Sequence, residues 1–179
     1  MRYLGIRTIE ISGFNAAFQA LRLPFGKECR STTFADVQNT SDEIRTTSSV
    51  FVDPKDLLLM STLVKHGDEH AKVVRGIMVY AEIEAPRYWW QEMDTYRIGT
   101  DRLSSESTMH IQGRGMSEDE LLEMKGALTE GTMQKRVQVF SYQTLRRIYY
   151  QRRTHRLPHW REFCQWVEGL PLAEYLITI

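Results

Sequence analysis

Five arginines crowd residues 146–156: Arg146, Arg147, Arg152, Arg153 and Arg156, interleaved with Tyr149, Tyr150 and His155 and followed by His159. On a helix Arg146, Tyr150 and Arg153 stand at i, i+4 and i+7, which is one face. Guanidinium groups hydrogen-bond phosphate in pairs, and a tyrosine ring stacks on a base, so this face reads as a phosphate site for a nucleotide. The competing reading is a solvated basic face. A second polar stretch lies upstream, where Tyr96-Arg97 run into Gly99, Thr100, Arg102, Ser104 and Ser105. Hydroxyls beside an arginine again suit an anion. His66, Glu69 and His70 offer ligand atoms, but Gly67 breaks the helix that a His-Glu-x-x-His zinc site needs, so no metal is expected. Cys164 belongs to an apolar stripe, and Cys29 has no neighbour that would lower its pKa. Ser-His-Asp order, a Walker loop and a Gly-x-Gly-x-x-Gly fingerprint are all missing from the sequence.

Several elements must position these groups. Residues 3–11 are branched and aromatic, a strand. Ser12 is placed to cap a helix with Phe14, Phe18 and Leu21 on one face. Residues 29–49 turn polar and read as a long surface loop, with a mobile segment folding over a ligand as the alternative. Asp53-Pro54 starts a helix that buries Leu57, Met60 and Val64 and stops at Gly67. Residues 73–84 alternate, with Ile77, Val79, Ala81 and Ile83 on the core side. Pro86 begins a helix with Trp89, Trp90, Met93 and Tyr96 on a wide aromatic side, which suits core and interface packing or a wall for a flat ring. Ser117 to Glu120 form a capping box for a helix through Leu121, Met124 and Leu128, with Gly131 past its end. The last third reads as helical over residues 142–154 and 158–168.

The totals narrow the class. A chain of 179 residues holds one domain, residues 1–179, with a real core. Its 23 basic and 23 acidic residues cancel, so no general nucleic-acid binding and no membrane-surface role is expected. Two cysteines suggest no disulfide framework, and no long apolar run is present, so the expected location is a reducing cytoplasm, with neither secretion nor a membrane span.

The order His66-Gly67, a strand ending in Ala85-Pro86, then an aromatic helix resembles the flavin-dependent thymidylate synthase (ThyX) family. That family continues through Arg-His-Arg-x-x-Ser into Asn-Glu-x-x-Ser-x-Arg. Counted on from Pro86, Thr95-Tyr96-Arg97 stand at the Arg-His-Arg positions and Thr100 at the serine. Arg102-Leu103 stand at Asn-Glu, Ser105 at the second serine and Ser107 at the last arginine. The first arginine, the histidine, the glutamate and the final arginine are therefore replaced. Leu145-Arg146 through Arg153 and on to Trp160 resembles the family's nucleotide-phosphate helix, the similar parts being weighted to residues 55–110 and 142–168, and the whole resembles short synthase-like proteins of bacteriophages and prophages.

The resemblance implies an α/β (α+β) fold, a curved and mostly antiparallel sheet with packed helices. It also implies a homotetramer with sites between subunits. It implies a pyrimidine nucleotide as ligand, held by Arg97, Thr100, Ser105, Arg146 and Arg153, and FAD as cofactor, met by His66, Tyr96 and Arg102. If the chemistry is kept, the reaction is flavin-dependent methylation of dUMP at C5 to dTMP, with no catalytic residue assigned. Two alternatives stay open: a non-flavin nucleotide binder or sensor, and a non-enzymatic oligomeric phage scaffold or interaction protein that keeps the fold.

Overall fold

Four strands, β1 (Gly5–Ser12), β4 (Met78–Pro86), β5 (Thr100–Ser105) and β6 (Met133–Ser141), form an open sheet. Their order is β1-β4-β6-β5, with every neighbouring pair antiparallel. The remaining two, β2 (Thr32–Thr40) and β3 (Glu43–Phe51), pair with each other as a separate ribbon. The computed structural model describes residues 3–40 and 43–179, with backbone alone over 32–50.

The helices are α1 (Phe14–Arg22), α2 (Pro54–Lys65), α3 (Arg87–Met93), α4 (Thr108–Ile111), α5 (Glu118–Gly126), α6 (Tyr142–Arg152), α7 (Pro158–Glu168) and α8 (Ala173–Leu176). β4 explains which sheet face they cover. Val79, Ala81 and Ile83 are fully buried while Met78, Tyr80 and Glu82 are half-buried, as alternation requires. The register sets Phe140, Gln138 and Arg136 of β6 opposite those three buried residues, so they share the core face. Trp89, Trp90, Phe140, Trp160 and Phe163 fill this core, with the Trp89 ring 4.9 Å from Trp90, edge to face, and 4.9 Å from Trp160, tilted. Large tilted ring contacts of this kind dominate core energetics.

The structure corrects several sequence readings. Residues 29–49 are not an irregular loop: 32–40 and 43–51 pair along their length, and residues 41 and 42 lie outside the described residues. Thr, Val, Ile and Phe favour strands, but the Ser/Thr-rich run lacks the apolar alternation that announces one. Helix α1 is not capped by Ser12. Gly13 precedes it at φ 90°, where an added Cβ would stand 1.8 Å from the Gly76 carbonyl oxygen. Residues 72–76 form a short 3-10 turn, so the strand begins later than its pattern suggests. The last third is not wholly helical, because β6 occupies 133–141 at the centre of the sheet. The Ser117–Glu120 capping box is formed, although α5 ends at Gly126 and buries none of its residues.

Candidate functional site

A groove runs beside α6. One part, about 420 Å³, is lined by Asp68, Arg75, Met78, Ile98, Gly99 and the first turns of α6 to Arg147. A second part, about 450 Å³, shares Asp68 and Arg147 and adds Arg146, Tyr150 and Gln151. The helix is held in place from its start. Ser141 caps it by accepting the Thr144 amide at 3.2 Å, and Thr144 Oγ1 donates to the Ile98 carbonyl at 2.9 Å. Gly99 makes this closeness possible: φ is 75°, and a Cβ there would lie 2.1 Å from Thr144 Oγ1.

Three arginines face the groove. Arg75 donates to Gln143 at 2.6 Å, and Arg147 Nη2 donates to the Ile98 carbonyl at 3.1 Å. The Nε atoms of Arg146 and Arg147 are buried and have no acceptor among the described residues. Buried donors without partners are costly and uncommon, so an anion that supplies acceptors suits the position. Arg146 and Arg153 both stack on the Tyr150 ring, at 5.2 and 5.0 Å. The helical face read from the sequence is therefore assembled.

The sequence-selected residues fall into three groups. Arg146 lines the groove, Arg153 reaches it through Tyr150, and Thr100 follows the lining pair Ile98-Gly99, its hydroxyl donating to the Tyr96 carbonyl. Arg97 is exposed on the same turn. His66 is also exposed, at the end of α2, with Nδ1 2.7 Å from the Thr62 carbonyl oxygen and two residues before Asp68 of the groove. Arg102 and Ser105 lie elsewhere, toward the far end of the exposed edge strand β5. Tyr96 lies in the core at 8 % exposure, and its hydroxyl accepts Arg152 Nε at 2.7 Å.

That contact is part of a network. Glu92 accepts Arg152 at 2.8 Å and Trp160 Nε1 at 2.8 Å, with His155 Nε2 at 3.7 Å, while Arg152 stacks on Trp160 at 4.4 Å. It ties the end of α6 and the start of α7 to α3.

A second polar cleft, about 300 Å³, opens past the end of β5, with Arg87, Gln91, Ser107, Lys125 and Arg136 among its lining. Arg136 pairs with Asp94 at 2.8 Å and stacks on Trp90 at 4.4 Å. Burial and the nearby guanidiniums of Arg102 and Arg87 pull its pKa down, against the carboxylate of Asp94. The lining carries three cations, Arg87, Lys125 and Arg136, against the Glu106 carboxylate, with Asp94 paired to Arg136, so positive charge is in excess. Sequence reasoning missed Arg75, Arg87, Lys125 and Arg136, which lie far apart in the chain and carry no motif.

A third cluster is structural. Asp56, 2 % exposed, accepts Arg22 at 2.5 Å, Ser31 Oγ at 2.7 Å and the Cys29 thiol at 3.2 Å. Burial opposes its ionisation, but bonds from Ser31, Arg22 and Cys29 outweigh that and hold its pKa down at about 2. Burial, together with Asp56, pushes the Cys29 thiol up. Cys164 is buried, which pushes its thiol to about 12.

No group of three metal-ligating side chains is found among the described residues, nor a helix long and apolar enough to cross a membrane.

Two structures of the flavin-dependent thymidylate synthase ThyX from Helicobacter pylori, each with FAD and dUMP, have a similar fold. One matches at TM-score 0.67 and 14% identity over 96% of this chain and 97% of that one. The other matches at TM-score 0.68 and 14% identity over 98% and 97%. No family model and no curated protein sequence matches the chain. The likeness is one of fold.

The fit to a flavin is uneven. The arginines suit its phosphates, but Tyr150 is the one ring among the described residues lining the groove, and two arginines already stack on it. Trp89, Trp90 and Trp160 are fully buried. Of the three residues at the family's Arg-His-Arg positions, Thr95 bonds its own helix at the Glu92 carbonyl and Tyr96 faces the core, which leaves Arg97. The groove of one chain fits phosphate and not an isoalloxazine ring.

Proposed function

We propose that this protein binds a pyrimidine nucleotide by its phosphate in the α6 groove. The observation that carries the reading is the pair of buried, unpartnered Nε atoms on Arg146 and Arg147. Arg75 adds a third cation, and the arginine pair a charge-assisted grip. Arg97, Thr100 and Arg153 stand around the rim and extend the same positive field. Ser105 and Arg102 lie outside this groove, on the exposed edge strand β5. His66 and Tyr96 have no ligand-facing role in this reading.

The similar H. pylori structures hold FAD and dUMP, and this supports the nucleotide class. It gives less support to flavin chemistry, because the groove lacks a ring wall. We therefore favour nucleotide binding without flavin over methylation of dUMP.

Self-association belongs to the same proposal. The sheet face away from the core carries half-buried Met78, Tyr80 and Val137, and Ile9 and Leu103 are exposed at the bulges of the two edge strands. Such a face suits contact between copies, the homotetramer of the resemblance.

The test is thermal melting with dUMP, dTMP and deoxyuridine, alongside an absorbance spectrum taken after FAD addition and gel filtration. Stabilisation by the two phosphorylated ligands alone, with no retained flavin bands, is the expected result. Flavin bands that persist on the protein overturn the non-flavin reading. Equal stabilisation by deoxyuridine overturns the phosphate assignment.

A further inference from the structure

The segment over the second cleft is built unlike the rest of the molecule. From residue 101 to residue 135 no side chain is buried, whereas α6 and α7 each bury five residues. Within this run, residues 107–129 fold mainly on themselves. Leu121 and Met124 pack against Gly113, where an added Cβ would lie 2.4 Å from Leu121 Cδ1. Met109, Ile111, Met116 and Leu122 are exposed and contribute little burial energy.

The hydrogen bonds divide the same way. Among the described residues, every bond made by 107–129 ends within 107–132. The attachments to the body lie at the two ends. Glu106 pairs with the Lys135 backbone in both directions at 2.9 Å, and the Tyr88 and Arg87 amides donate to the Glu130 and Thr132 carbonyls at 3.1 Å. A unit bolted at two ends, with little buried area between them, opens locally at low free energy.

What it covers is polar and basic. Arg87, Gln91 and Arg136 come from the body, Ser107, Thr108 and Lys125 from the segment, and Glu106 at its hinge is the one carboxylate among the described residues of the lining. The Lys125 ammonium meets the Thr108 hydroxyl of the same segment. We infer that residues 107–129 form a hinged flap that closes on a phosphate-bearing ligand, with Lys125 as the charge it brings to Arg87 and Arg136. A ligand touching both sides binds the closed form better and so shifts the flap toward it. Closure of the flap is independent of nucleotide binding at α6.

Hydrogen exchange of the intact protein tests it, with inorganic phosphate as the probe. Without phosphate, α5 amides should exchange at least about 100-fold faster than those of α6, well below global unfolding. Millimolar phosphate should slow α5 exchange by about tenfold, an effect lost in Lys125→Gln and kept in Lys125→Arg. The response should persist in an Arg146→Gln/Arg147→Gln protein, so failure of the α6 site and failure of the flap are distinguishable. Exchange in α5 as slow as in α6 overturns the hinge. No slowing by phosphate, or equal slowing in Lys125→Gln, overturns the closing role.

Discussion

Asp56 is the residue on which the base of the ribbon depends. It is ionised and buried, and it holds Arg22 of α1, Cys29 and Ser31 together, while Ser31 Oγ also accepts the Asp53 amide at 2.9 Å. Its carboxyl is depressed from 3.8 to about 2, so it adds stability above pH 3.8 that is lost as the pH falls toward 2. By proton linkage, a carboxyl held that far below its unfolded value contributes about 2 kcal/mol. Acid unfolding followed by circular dichroism should therefore steepen in that window, and Asp56→Asn should flatten it while lowering stability at neutral pH by about 3 kcal/mol. An unchanged acid limb in the variant would contradict the clamp. Gly99 is the second residue-scale dependency. Gly99→Ala must hold a left-handed backbone and displace the Thr144 hydroxyl, so a loss of about 2–3 kcal/mol is expected in urea unfolding. A variant as stable as the parent would mean the turn relaxes.

The network around Glu92 decides how α3, α6 and α7 meet. Removing the carboxylate strands the Arg152 guanidinium and the Trp160 N–H. Glu92 is 33 % exposed, so the cost of Glu92→Ala should be about 2 kcal/mol, below that of a fully buried pair. A chemical melt checks this, and no shift would mean water replaces the acceptor. Sequence reading succeeded where apolar period and geometry agree, as in β4, α6 and α7. It failed at β6 for a physical reason: Arg136 and Gln138 point into the core while Val137 and Val139 take the other face. The inward arginine is satisfied by Asp94 and Trp90, partners that only the fold supplies. At the site, the face shared by Arg146, Tyr150 and Arg153 was legible from helical spacing. Tyr96 was legible as core from its spacing with Trp89, Trp90 and Met93, but nothing beside it in the chain pointed to Arg152, the partner its hydroxyl meets there.

At the scale of the whole molecule, a neutral chain concentrates positive charge at the α6 groove and in the cleft past the end of β5, which frame the edge strand from either side. Net charge is therefore a poor guide to ligand class here, while local fields attract anions. Binding at the groove should weaken with salt, because surface charges are screened over about 8–10 Å at physiological ionic strength. The most direct test of nucleotide binding is calorimetric titration of dUMP into the parent protein and into Arg146→Gln/Arg147→Gln. The parent should bind dUMP in preference to deoxyuridine, and the variant should lose about 1.5–3 kcal/mol, the scale of a hydrogen bond to a charged group. Equal dUMP affinity in parent and variant, or no phosphate preference in the parent, would contradict the phosphate site at α6.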